Sequence, residues 1–325
     1  MSFVLQGIDF GPVHCASGAQ GWFGEGYWFH RWVPGLDWTN CAFVAKTTTL
    51  AACAGNMPLA HVPPPSRYYE PRELFPKCIV VKLLRGVILN SVGLSGPGAY
   101  ALFETGRWQK RTEPFFLSFM SVADSAEERY NEAAAFAIML EIRRPWFAAP
   151  FGLQVNLSCP NAGHAPAEIA AEAESILGVF QQLRASGVPI VPKFNVLSSP
   201  DAVQRLQGLC DAVCVSNTIP WGMLPERIRW SSLFPGSQIF GSPLAHLGGG
   251  GLSGRPLLPL VAEWVREAKR AGLVVPVSAG GGILHPMDVD FLVNAGADSV
   301  FLGSIAMLRG WRLSRTIQRA HERLT

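Results

Sequence analysis

Short runs of apolar and β-branched residues punctuate the chain, and the stretches between them carry apolar residues at helical spacing. The runs fall at 41–47, 86–92, 115–120, 153–158, 189–195, 212–217, 274–280 and 299–304. Helical patterning covers 125–143, 166–186, 199–209, 255–272 and 286–296, with a last helix from about 308. Ser125 and Ser199 stand where N-caps belong. Strands that are apolar throughout and alternate with helices predict a parallel sheet covered on its outer face. Eight such units in 325 residues point to the α/β class, as a single (β/α)8 (TIM) barrel. A doubly wound sheet would carry its Gly-rich fingerprint after the first strand; here the glycine runs lie near the end of the chain.

This reading divides the chain into an N-terminal extension (1–40), a barrel core (41–306) and a C-terminal helix (307–325). The extension holds Trp22, Trp28, Trp32 and Trp38 and is a candidate plug for the barrel bottom. Two long insertions, 51–85 and 219–254, interrupt the core. Connections this long in a compact domain usually act as lids or binding walls.

Composition narrows the function. The chain is 49% hydrophobic and 16% charged, with a formal net charge of +3 and no basic block, which argues against a nucleic-acid partner. Seven cysteines occur without CxxC or zinc-type spacing, as expected of a reduced cytoplasmic protein that holds no metal. No signal-peptide pattern opens the chain, and no apolar stretch has the length of a membrane span.

Active sites of such barrels gather at the C-terminal ends of the strands. Those ends read Lys46-Thr47, Asn90, Ser118, Asn156 to Asn161, Lys193 to Asn195, Ser216-Asn217-Thr218, Gly280-Gly281-Gly282 and Gly303-Ser304. None carries Asp, Glu or His. That argues against a divalent metal and against a carboxylate base, and it points to an anionic ligand rich in hydrogen-bonding edges. The two glycine-containing ends each precede a helix, an arrangement that suits a phosphate. Cys159 reads equally as a buried small hydrophobe or as a reactive thiol.

The ordered set NLSCPN, the lysine of VAKTTT, NSVGL, SNT, GGLSGRP, SAGGGI and FLGS resembles the dihydroorotate dehydrogenase family from about residue 41 to 306, and ASG at 16–18 extends the likeness. The resemblance implies an FMN-containing barrel that oxidises dihydroorotate to orotate in pyrimidine synthesis. It implies Cys159 as the base. It makes Lys46, Asn90, Val92, Gly93, Leu94, Asn156, Asn161, Asn217 and Thr218 the substrate clamp. For FMN it implies Ala16, Ser17, Gly18, Lys46, Thr47, Ser118, Asn156, Lys193, Ser216, Gly254, Gly281, Gly282, Gly303 and Ser304. A cysteine at the base position, and a substrate lysine in the VAKTTT strand rather than in ASGAQG, resemble the soluble class 1 branch, whose members pair as homodimers. Fumarate, NAD through an electron-transfer partner subunit, or a quinone remain as candidate oxidants. GLSGPG and NAGHAPAE depart from the family pattern. Two rival readings are a dihydropyrimidine-type flavin enzyme, which the cationic Lys46 disfavours, and a flavin-free lyase forming a Schiff base on Lys193 with a phosphorylated substrate.

Overall fold

The computed structural model describes residues 3–61, 69–157 and 172–325. Its centre is a ring of eight parallel strands: Val13–Cys15, Phe43–Val44, Phe115–Phe119, Phe151–Asn156, Ile190–Phe194, Val213–Val215, Val277–Gly280 and Ser299–Leu302. Each pairs with its neighbours in chain order, with registers such as Asn156 opposite Lys193 and Val300 opposite Val13. Reciprocal bonds close the ring, from Cys15 N–H to the Ala42 carbonyl and from Ala42 N–H to the Val13 carbonyl, both 2.9 Å.

Two strands differ from expectation. The barrel begins at Val13–Cys15, inside the segment read as an extension, and Phe43–Val44 is its second strand. The 86–92 run is not a barrel strand: Val87–Asn90 lies between Ile79–Lys82 and Gly251–Gly254 in an antiparallel sheet, with Ile219–Pro220 at its edge. An apolar run buried on both faces looks the same in either sheet. A three-residue strand bounded by Gly11-Pro12 is too short to show any period. The two long insertions supply the outer strands of this second sheet, which packs beside the mouth.

The first residues do plug the bottom. Val4–Leu5 and Ile8–Asp9 form a small hairpin, and Phe10 stacks on Phe116 with ring centroids 4.1 Å apart. Gly152 makes room for that stack, since a Cβ there would meet Phe116 at 2.5 Å. The tryptophan-bearing part of the segment runs to the opposite end, where residues 16–19, Tyr27 and His30 reach the mouth.

Helices cover the outside. Ala126–Arg143 starts at a capping box between Ser125 and Glu128, and its Phe136 stacks on Phe119 at 4.0 Å. Burying such rings contributes about 1.5–3 kcal/mol each. Ser199 occupies the N-cap position of Pro200–Arg205, but its side chain makes no capping bond. Leu257–Arg270 buries Leu257, Leu260, Val261, Trp264, Val265 and Ala268, a stripe at helical spacing. The terminal helix Leu313–Leu324 is tied down by Asp290, which takes Arg323 at 2.6 Å and Arg319 at 3.0 Å. Among the described residues no helix is long and apolar enough to cross a membrane.

Candidate active site

A cavity of about 250 Å³ opens at the C-terminal mouth of the barrel. The strand ends supply most of its wall: Ala16, Ser17 and Gly18 after the first strand, Lys46 and Thr47 after the second, Asn156 from the fourth and Lys193 from the fifth. Ser216, Asn217 and Thr218 follow the sixth strand, Gly281 and Gly282 the seventh, Gly303 and Ser304 the eighth. Asn90, Val92, Gly93 and Leu94 also line the cavity, although their strand belongs to the second sheet. Two expected residues stand behind the wall rather than in it: Ser118 and Gly254. Cys159 and Asn161 lie outside the described residues.

Ser118 acts through Thr47. The Ser17 hydroxyl donates to the Ala45 carbonyl at 2.8 Å, so its contact of 2.9 Å with Thr47 Oγ1 must be one in which Thr47 donates. The Thr47 hydrogen is then used, and Ser118 donates to Thr47 at 2.8 Å. This one-way chain holds Thr47 in a single rotamer. Asn156 reaches the same Thr47 oxygen at 3.5 Å and accepts from Asn217 Nδ2 at 2.9 Å. Asn217 Oδ1 accepts from Thr218 N–H at 2.9 Å, and Asn195 donates to the Thr218 carbonyl. Ser216 Oγ accepts from Val196 N–H at 3.2 Å. The residues of the sixth strand end are thus held from the fourth and fifth.

Two cations and no described carboxylate line the cavity. Lys46 Nζ donates to the Ser95 carbonyl at 2.6 Å. Lys193 is only 6% exposed, with Nζ 5.4 Å from the centroid of Phe301. A buried ammonium is costly unless an anion or an electron-rich group meets it. The thiols deeper in the barrel are inert: burial pushes Cys15 up to about 11 and Cys214 up to about 12, so both stay protonated.

The glycine loop after the seventh strand closes the far wall. Gly282 has φ of +82°, and a Cβ on it would meet Leu258 N at 2.6 Å and the Gly254 carbonyl at 2.8 Å. Gly254 therefore backs the loop and shapes it indirectly. Bare backbone there, flanked by Leu257 and Ile283, fits a phosphate and the apolar edge of a large ring system.

Several lining residues were not expected. Tyr27 and His30 come from the tryptophan-rich segment, Met57 and Ile79 from the first insertion, and Ser253 from the second. The unusual length and aromatic content of those segments were the only sequence signal. Phe301 lies one residue inside the eighth strand end and faces the cavity from within the barrel.

Fold and site together define a (β/α)8 barrel with a cavity at its mouth lined by two lysines, bare glycine backbone and a set of amide and hydroxyl side chains. The chain belongs to the dihydroorotate dehydrogenase family, whose model, described as dihydroorotate dehydrogenase, matches residues 65–324. Membership makes it an oxidoreductase that converts dihydroorotate to orotate in pyrimidine biosynthesis. It is 30% identical over 300 residues to the catalytic subunit of dihydroorotate dehydrogenase B (NAD(+)) of Desulforudis audaxviator, covering 90% of this chain and 82% of that one. It is 26% identical over 310 residues to dihydroorotate dehydrogenase A (fumarate) of Lactobacillus delbrueckii subsp. bulgaricus, covering 92% and 85%. Among solved structures, DHODH from Eimeria tenella in complex with ferulenol superposes with a TM-score of 0.67 at 19% identity, over 98% of this chain and 83% of that one. That likeness supports the fold.

Proposed function

We propose that this chain is an FMN-dependent dihydroorotate dehydrogenase of class 1 type, with Cys159 as the base. The observation that carries this reading is the convergence of Lys46, Asn90, Asn156 and Asn217 with Lys193 and the Gly282 loop around one cavity without a described carboxylate. FMN, when bound, supplies the acceptor for the hydride that leaves C6 of dihydroorotate. The chain's own residues do the rest. Lys46 binds the ring carboxylate by charge. Asn90, Asn156, Asn217 and Thr218, joined by Asn161, offer paired donors and acceptors to the imide and amide edges. Val92, Gly93 and Leu94 form the roof over the ring. Cys159, three residues beyond Asn156 in the sequence, takes the C5 proton as a thiolate.

The same residue set supports FMN as the resident flavin. Lys193 brings a fixed positive charge to the cavity, where it stabilises negative charge that develops during reduction. Ser17, Thr47 and Ser216 offer hydroxyls and Ala16 and Gly18 offer backbone to a ring edge, with Ser118 holding Thr47 from behind. Gly281, Gly282, Gly303 and Ser304 offer backbone to the phosphate. A class 1 enzyme of this kind works in the cytoplasm as a homodimer and passes its electrons to fumarate, or to NAD(+) through a partner subunit, the acceptors in the names of its relatives.

Anaerobic titration of the purified flavoprotein with dihydroorotate tests the reading. The flavin band should bleach in proportion to orotate formed, and reoxidation by fumarate, quinone or NAD(+) with a partner then identifies the acceptor. Protein that takes up FMN yet is not reduced by dihydroorotate would overturn it.

A further inference from the structure

Lys46 rests on an aromatic ring. Its Nζ lies 4.3 Å from the centroid of Trp22, whose side chain is buried, with the residue only 2% exposed. The ring is held from several sides. Trp22 N–H donates to Glu25 Oε1 at 3.0 Å, and Trp108 Nε1 donates to the Trp22 carbonyl at 2.6 Å. Lys46 N–H bonds the carbonyl of the preceding Gly21 at 2.9 Å, which locks the loop to the strand end. Gly96 lies against the indole, where a Cβ would come within 3.1 Å of Trp22 Cζ2. The neighbouring Ser95 carbonyl accepts from the ammonium at 2.6 Å. The tryptophan-rich segment and the GLSGPG turn therefore meet at one lysine.

The chemistry of this seat is specific. An ammonium can be fixed by a carboxylate, which also cancels its charge. Here the two named partners are neutral: an indole face, which attracts cations through its quadrupole, and a peptide carbonyl. They restrict the flexible four-carbon stem and fix where the ammonium stands at the cavity wall. Burial of the indole keeps water from its face, while the part-buried ammonium stays open to the cavity.

We infer that Trp22 is a positioning residue for Lys46, and that with the Ser95 carbonyl it holds the ammonium where it selects ring substrates bearing a carboxylate. The inference rests on the reading of Lys46 as the group that meets the substrate carboxylate.

The test uses flavin-loaded protein and a pair of probes, orotate and its neutral carboxamide, with binding followed through the flavin spectrum. Trp22→Leu should weaken orotate roughly three- to thirty-fold and raise KM for dihydroorotate by a similar factor. Carboxamide affinity and kcat should change by less than about twofold. Trp22→Phe, which keeps an aromatic face, should recover most of the orotate affinity. If Trp22→Leu fails to fold or to hold flavin, Gly96→Ala displaces the ring from the other side and should weaken orotate selectively. Equal losses for orotate and carboxamide, or no loss for either, would overturn the proposal. Wild-type protein that binds both probes equally would instead remove its premise, the role of Lys46.

Discussion

Asn217 donates its Nδ2 hydrogen to Asn156 Oδ1 across 2.9 Å, joining the ends of the sixth and fourth barrel strands over the fifth. Each amide thereby orients the other. Asn217 Oδ1 is already committed to Thr218 N–H, so the pair has one arrangement and presents a fixed set of edges to a ligand. Asn217→Asp replaces the donor with an acceptor facing Asn156 Oδ1. Loss of a buried bond of this kind costs about 1–3 kcal/mol, so orotate affinity should fall roughly five- to a hundred-fold. Titration of the flavin spectrum with orotate checks this, and unchanged affinity would refute it.

Replacing Cys159 tests the base directly. Cys159→Ser should retain FMN and orotate but reduce flavin about 10²- to 10⁴-fold more slowly at neutral pH, because a hydroxyl is a poorer base. With an ordinary thiol near 8.5, wild-type reduction should accelerate as pH rises toward that value. Anaerobic stopped-flow from pH 6 to 9 measures both, and a flat wild-type profile would count against the thiol.

Lys193→Met keeps length and removes charge at a residue only 6% exposed. FMN affinity should drop by at least about tenfold, and reduction by dihydroorotate should slow by a similar factor, as expected when a preorganised charge is lost. Flavin content by absorbance and single-turnover kinetics decide the matter.

Gly282→Ala places a methyl group 2.6 Å from Leu258 N and 2.8 Å from the Gly254 carbonyl, at a φ of +82°. Both neighbours are backbone and cannot give way cheaply. The variant should purify with little or no flavin and lose about 1–3 kcal/mol of stability, while its far-ultraviolet circular dichroism stays that of the barrel. A fully yellow preparation would show that the loop does not shape the cofactor site.

His14 makes stability depend on pH. It lies 3% exposed inside the first strand, and burial lowers its pKa from 6.5 to about 4, against a smaller opposing effect of a backbone bond at Gly11. Below pH 6.5 the unfolded chain takes up a proton that the folded chain refuses. Stability from this residue is complete above 6.5 and is lost as pH falls toward 4, by about 3 kcal/mol at most. Urea unfolding at pH 7, 5.5 and 4 should show a steeper decline for wild type than for His14→Leu.

The barrel class, the helices on its outside and the polar character of its mouth were legible in the chain, because strand length, apolar composition and helical spacing are local properties. Most of the site was legible for the same reason. Lys46, Asn156, Lys193, Ser216 and Gly282 follow directly from where strands end, and the structure gathers them around one cavity. Which strands close the ring was decided elsewhere. Val13–Cys15 is a strand only because Ser299–Leu302 and the Ala42 backbone flank it, and Val87–Asn90 stands outside the barrel because its partners are Gly251–Gly254 and Ile79–Lys82. Those partners are far apart in sequence, and hydrogen-bond pairing between distant backbones leaves no periodic trace. The same holds for Ser118 behind Thr47 and for Trp22 beneath Lys46: residue type marks a side chain as able to act, and only tertiary contact fixes what it acts on.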